Sequence, residues 1–227
     1  MKQGTPIYIE VGSKRSFATA VEWPGWSRNG RDESGAVAAL AAYGPRYAAV
    51  VTAADLKLAL PRDASGFTIV KRVKGNATTD FGAPAMGLPS DAEALAKAEL
   101  ERLERILAAC WRAFDLAEKN ARGLELRKGP RGGGRDLEKM AEHVAGADAA
   151  YIAALGARAP KAVKGRALRP IDLREPMLVA LRARALGLPI AEPSRVKSLW
   201  TPRQFVRRVA WHVLDHAWEI EDRAIGR

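Results

Sequence analysis

The sequence predicts a small α+β domain over residues 1–77 followed by an all-α, up-down four-helix bundle over residues 91–227, predominantly helical overall. Three observations carry this reading. Short β-rich runs separated by turn residues are confined to the first segment. From residue 91 onward, apolar residues recur at three- and four-residue spacing, the period of a helix with one buried face. Between the two, residues 78–90 concentrate Gly, Pro and polar residues and read as a linker, so that residues 91–227 are expected to fold apart from the segment before them.

The elements follow in order. Residues 5–11, TPIYIEV, and 16–23, SFATAVEW, read as strands joined by the turn Gly12-Ser13-Lys14-Arg15. After Pro24-Gly25 and a polar stretch, Asp32 is placed to cap an Ala-rich helix over residues 33–50. Residues 52–60 read as a second short helix, opened by Thr52 and stopped by Pro61, and residues 67–73, FTIVKRV, as a third strand. The first bundle helix is expected over residues 91–120, where Leu103, Ile106, Leu107, Cys110, Phe114 and Ala117 form a stripe. A flexible break, RKGPRGGGR, precedes the second helix over residues 136–156. The third is expected over 173–187, and the fourth over 201–224, with Thr201 as N-cap and Pro202 in the first turn.

Composition narrows the class. With 48% hydrophobic and 28% charged residues, the chain can bury a substantial core. No run of 18 apolar residues exists, so no membrane span is expected, and the first residues lack the regions of a signal peptide. The single cysteine, Cys110, excludes an internal disulfide and reads as a buried helical thiol, so a reducing, cytoplasmic location is expected. The net charge of +11 raises the question of nucleic acid. Its local clusters, residues 127–135 and 161–169, lie between predicted helices without interleaved aromatics, so specific nucleic-acid binding is not expected.

The three histidines are the most informative residues. In the fourth predicted helix, His212 and His216 fall in the same arc as the stripe Phe205, Val209, Val213 and Ile220, one turn apart. In the second, His143 sits at the shoulder of the stripe Leu137, Met140, Val144, Ala147, Tyr151 and Leu155. Burying imidazoles without partners is unfavourable, and three inward rings share one solution in a divalent metal ion. Three imidazoles also leave coordination positions open, as a catalytic site requires.

Other candidates surround them. Glu219, one turn beyond His216, is a candidate acceptor for a ligand histidine or a general base. Asp148 falls in the stripe of the second helix, placed to orient a histidine or pair with an arginine, and Tyr151 could donate to a metal-held oxygen. Trp211 and Trp218 face away from the histidines, toward another helix, the first domain or a second subunit in a homodimer. Gly132-Gly133-Gly134 lacks the strand-to-helix setting of a phosphate loop. No Ser-His-Asp arrangement, Cys-rich zinc motif or dinucleotide fingerprint is present.

The pattern EHVAGADAAYIAALG at 142–156 followed by RRVAWHVLDHAWEIEDR at 207–223 resembles the DinB-like metalloprotein superfamily. That resemblance implies a four-helix bundle over about residues 91–225, with His143, His212 and His216 as ligands to zinc, nickel or manganese. It also implies chemistry in which the ion activates a low-molecular-weight thiol, such as mycothiol or bacillithiol, or water. More faintly, residues 7–43 resemble the HicB antitoxin-like fold, a small binding or assembly module; its usual DNA-binding extension is replaced here by predicted bundle helices. Two functions are therefore expected: a metal-dependent transferase or hydrolase with a small-molecule substrate, or a non-catalytic binding or regulatory protein with a structural metal.

Overall fold

In the computed structural model, which describes residues 4–128, 134–162 and 166–225, a mixed four-stranded sheet precedes a mainly helical remainder. The strands β1 (Thr5–Val11), β2 (Ser16–Ala20), β3 (Ser27–Gly30) and β4 (Phe67–Lys74) lie in the order β3-β2-β1-β4. The first three run antiparallel to their neighbours, and β4 runs parallel to β1. The parallel pairing needs a crossover, supplied by α1 (Glu33–Thr52), whose N-cap Asp32 accepts from Gly35 N at 2.8 Å.

Alternation sorts the side chains of the central strands. Ile7, Ile9, Ala18 and Ala20 join the apolar cluster that holds Leu40, Tyr47 and Val51 of α1. There Trp26 stacks on Tyr47 at 5.6 Å and donates its indole N–H to Leu40 O at 2.8 Å. Phe17, Tyr8 and Glu10 take the opposite parity and meet α6 (Pro202–Arg223) and the segment around residues 79–86: Phe17 lies edge-on to Trp211, and Tyr8 Oη donates to Met86 O at 3.2 Å. Both faces of the sheet are therefore covered.

Four helices complete the molecule: α3 (Lys97–Ala121), α4 (Leu137–Ala154), α5 (Pro170–Leu186) and α6, with a five-residue α2 (Ala77–Phe81) ahead of them. The helix α3 packs along α6, and α4 lies against both α5 and α6. Asp136 caps α4 by accepting from Lys139 N at 2.8 Å, Thr201 caps α6 by accepting from Gln204 N, and Pro170 and Pro202 occupy first turns. One apolar cluster contains residues of the sheet, α1 and all four long helices beyond it. No described helix is long and apolar enough to cross a membrane. Cys110 is buried in this cluster, where burial pushes its thiol pKa up and keeps it protonated.

Several expectations change. Residues 53–60 form no helix; α1 continues through Thr52 and ends where Asp55 adopts a left-handed φ of 56° and Leu56 N donates to Val51 O at 3.1 Å. The second strand stops at Ala20, because residues 21–26 turn through Gly25 (φ 96°), packed on Ala210 and Leu214 of α6. The run SRNG, read only as part of a polar stretch ahead of the helix, forms β3 by pairing with β2. Gly30 at its end approaches α1 so closely that a Cβ would lie 2.2 Å from Ala36 N.

The expected linker is fastened down. Buried Glu10 accepts from the Thr79 hydroxyl and from Ala85 N and Met86 N, both at 3.0 Å. The helix α3 begins at Lys97 instead of residue 91, since Asp91 is occupied otherwise: it accepts from Leu88 N at 2.7 Å and from the Arg207 guanidinium at 2.5 Å. Of the two basic stretches, residues 129–133 and 163–165 lie outside the described residues, Gly132-Gly133 among them. Arg166 and Arg169 are held in ion pairs with Asp172, Glu118 and Glu138.

Candidate metal centre

The three histidines meet between α4 and α6. His212 and His216, four apart, project from one face of α6, and His143 reaches them from α4, so that one nitrogen from each ring lies within 4.8 Å of the others. The ring centroids are 4.6 Å apart for His212 and His216, 4.9 Å for His143 and His216, and 5.2 Å for His143 and His212. His143 Nε2 and His212 Nε2 stand 3.3 Å apart. That matches the edge of about 3.3–3.4 Å between two nitrogens bound tetrahedrally at about 2.0–2.1 Å. The three rings are close enough together to bind one metal ion.

Burial tunes the donors. His212 is held well below the ordinary histidine pKa, and His143 is pushed down to about 4, in both cases chiefly by desolvation and then by neighbouring rings. Both are neutral near pH 7, the form that carries a lone pair for a metal. His216 is oriented by a carboxylate: its Nδ1–H donates to Glu219 Oε2 at 3.0 Å, leaving Nε2 as the free ligand atom. Arg223 in turn donates to Glu219 Oε1 at 2.7 Å and is itself fixed by Arg127 O at 2.7 Å and Arg135 O at 3.0 Å. The hydrogen bond from His216 and the Arg223 charge hold the Glu219 carboxyl below its usual pKa range. His212 Nδ1 is buried with no partner among the described residues. Donor type and spacing fit a divalent ion, and His143 and His212 carry the neutral form that it needs.

No protein-family model, curated protein or solved structure matches this chain.

The remaining candidates separate. Glu219 belongs to the cluster as the residue that orients His216. Tyr151 touches it, with its ring edge-on to His212 at 5.6 Å, and its hydroxyl accepts from Arg208 Nε at 3.1 Å. Asp148 does not join it. Five residues after His143, it points about 140° away around the helix, and the charge that acts on it is Arg174 of α5. Both of its carboxylate oxygens are buried without partners among the described residues, and desolvation raises its pKa to about 8.

Arg208 and Arg223 were missed in the sequence, although spacing marked both. Gln204, Arg208, His212 and His216 recur every four residues along one helix face, and Arg223 follows Glu219 by four. Trp211 and Trp218 face away from the histidines as expected: Trp211 packs on Phe17, while Trp218 lies 5.3 Å from Tyr43 with the Arg28 guanidinium 4.5 Å from its ring.

Proposed function

We propose that the chain is a metal-dependent enzyme of the DinB-like kind, in which α3 to α6 form a four-helix bundle and His143, His212 and His216 hold one divalent ion. The observation that carries this is the convergence of all three histidines of the chain on one buried point, two of them kept neutral by burial. A divalent cation held there would lower the pKa of a thiol or a water molecule that it binds. Either the transfer of a low-molecular-weight thiol or hydrolysis of a small molecule follows from that chemistry.

The chain's own residues supply the rest. Glu219 fixes the His216 tautomer, and Arg223 fixes Glu219, so the ligand face of His216 is set before metal arrives. The hydroxyl of Tyr151 accepts from Arg208 and keeps its own proton available to a bound molecule beside His212. The N-terminal unit, proposed to share the HicB-like fold, here covers the far side of α6 through Phe17 and Tyr43.

Elemental analysis of protein purified without chelator or affinity tag tests the reading. About one divalent ion per chain is expected, with most of it lost in His212→Ala and in His216→Ala, since two imidazoles one turn apart act as a chelate. Full occupancy in the His212→Ala/His216→Ala double variant would overturn it.

A further inference from the structure

A cavity of about 300 Å³ opens one helical turn from the histidines, bounded by the sheet, the segment around residues 76–86 and the first half of α6. Arg208 lines it, and Arg208 differs from the other guanidinium groups of α6. Arg203 is paired with Glu99, Arg207 with Asp91 and Arg223 with Glu219. Arg208 donates only to neutral partners, Tyr151 Oη at 3.1 Å and Pro84 O at 2.5 Å, and meets no carboxylate among the described residues. A cation beside a cavity, left without a counter-charge by the protein, is a recognition element for an anion.

The walls define the anion further. Pro84, Ala85, Met86 and Trp200 present apolar surface, while the hydroxyls of Thr19 and Ser27 share one hydrogen bond at 2.6 Å. Only one guanidinium is uncommitted, because the other that lines the cavity, Arg207, already holds buried Asp91. One positive charge without a counter-charge suits a monoanion better than a phosphate dianion. We propose that this cavity binds a small monocarboxylate with an apolar body, its carboxylate held by Arg208 and the Tyr151 hydroxyl.

Tyr151 separates this cavity from His212, so the carboxylate end is the end closest to the histidine cluster. That the bound acid is the substrate rests on the metal reading above; its capture by Arg208 does not. As substrate, it would react at atoms near its carboxylate rather than at its far apolar end.

Calorimetric titration of the full chain with benzoate, benzamide and inorganic phosphate tests the proposal, in chelator-treated and in zinc-loaded protein. Benzoate is expected to bind both forms, at least about tenfold tighter than its neutral isostere benzamide, since a charge-assisted hydrogen bond is lost. Arg208→Gln should erase that preference, and phosphate should bind more weakly than benzoate. Equal binding of benzoate and benzamide, stronger binding of phosphate, or no binding of any of the three overturns the proposal. The isostere comparison uses the unaltered chain, so it stands even if Arg208→Gln fails to fold. Benzoate that binds only zinc-loaded protein would be an ion ligand, ending this proposal while leaving the metal centre intact. Benzoate binding without zinc uptake would do the reverse.

Discussion

Glu219 acts on the cluster without facing it. By accepting the Nδ1 proton of His216 it fixes which nitrogen points inward, and that preorganisation should appear in metal affinity. Glu219→Ala is expected to weaken metal binding by about 10–100-fold in competition with a chromogenic chelator, and Glu219→Gln, which keeps an acceptor oxygen, by less. Identical affinities for all three proteins would remove Glu219 from the site. Asp148 affords a separate test through pH. Its folded pKa, about 8, lies above the ordinary 3.8, so the folded state binds the proton more tightly and stability falls as pH rises through that window. Asp148→Asn should abolish this slope and exceed the parent at pH 9 by at least about 1.4 kcal/mol, one pH unit of linkage, in denaturant titration. Parallel stability profiles would show that Asp148 is not buried as a neutral acid. At this scale the inward histidines were legible, because 100° periodicity places them on apolar stripes. The direction of Asp148 was not, since a residue inside a broad stripe can face either α6 or α5.

Among the elements, the segment from residue 76 to residue 92 was the least legible. Its Gly and Pro content reads as a linker, but what fixes it is a carboxylate on β1, far away in sequence. Glu10→Ala leaves the Ala85 and Met86 N–H groups without their acceptor, which should destabilise the protein by about 2 kcal/mol and speed proteolytic cutting within residues 78–90. Unchanged cutting would mean that the segment is held by other contacts. The strand β3 was invisible for a related reason: SRNG has no apolar alternation and becomes a strand only by pairing with β2. Helices α4, α5 and α6 were readable to within three residues, and α3 at its end but not its start, because their periodicity and caps are local properties. The missing short helix after α1 shows the limit of that approach, since Leu56 and Leu58 are recruited into the core from an extended segment.

Across the whole molecule, α6 joins the halves. One face carries the histidines, and the other presents Trp211 and Trp218 to Phe17 and Tyr43. Removing residues 1–90 would uncover both tryptophans and leave Asp91, the partner of Arg207, as the fragment's first residue. The 91–227 fragment is therefore expected to show red-shifted tryptophan fluorescence, to bind a hydrophobic dye and to unfold less cooperatively than the full chain. A fragment as cooperative as its parent would make the sheet an appended module. The metal centre itself is tested most directly by X-ray absorption at the edge of the bound metal in the intact protein. The account predicts a shell containing three imidazole nitrogens at about 2.0–2.1 Å, reduced to two in His143→Ala. An ion surrounded by oxygen alone, or a spectrum unchanged in His143→Ala, would contradict it.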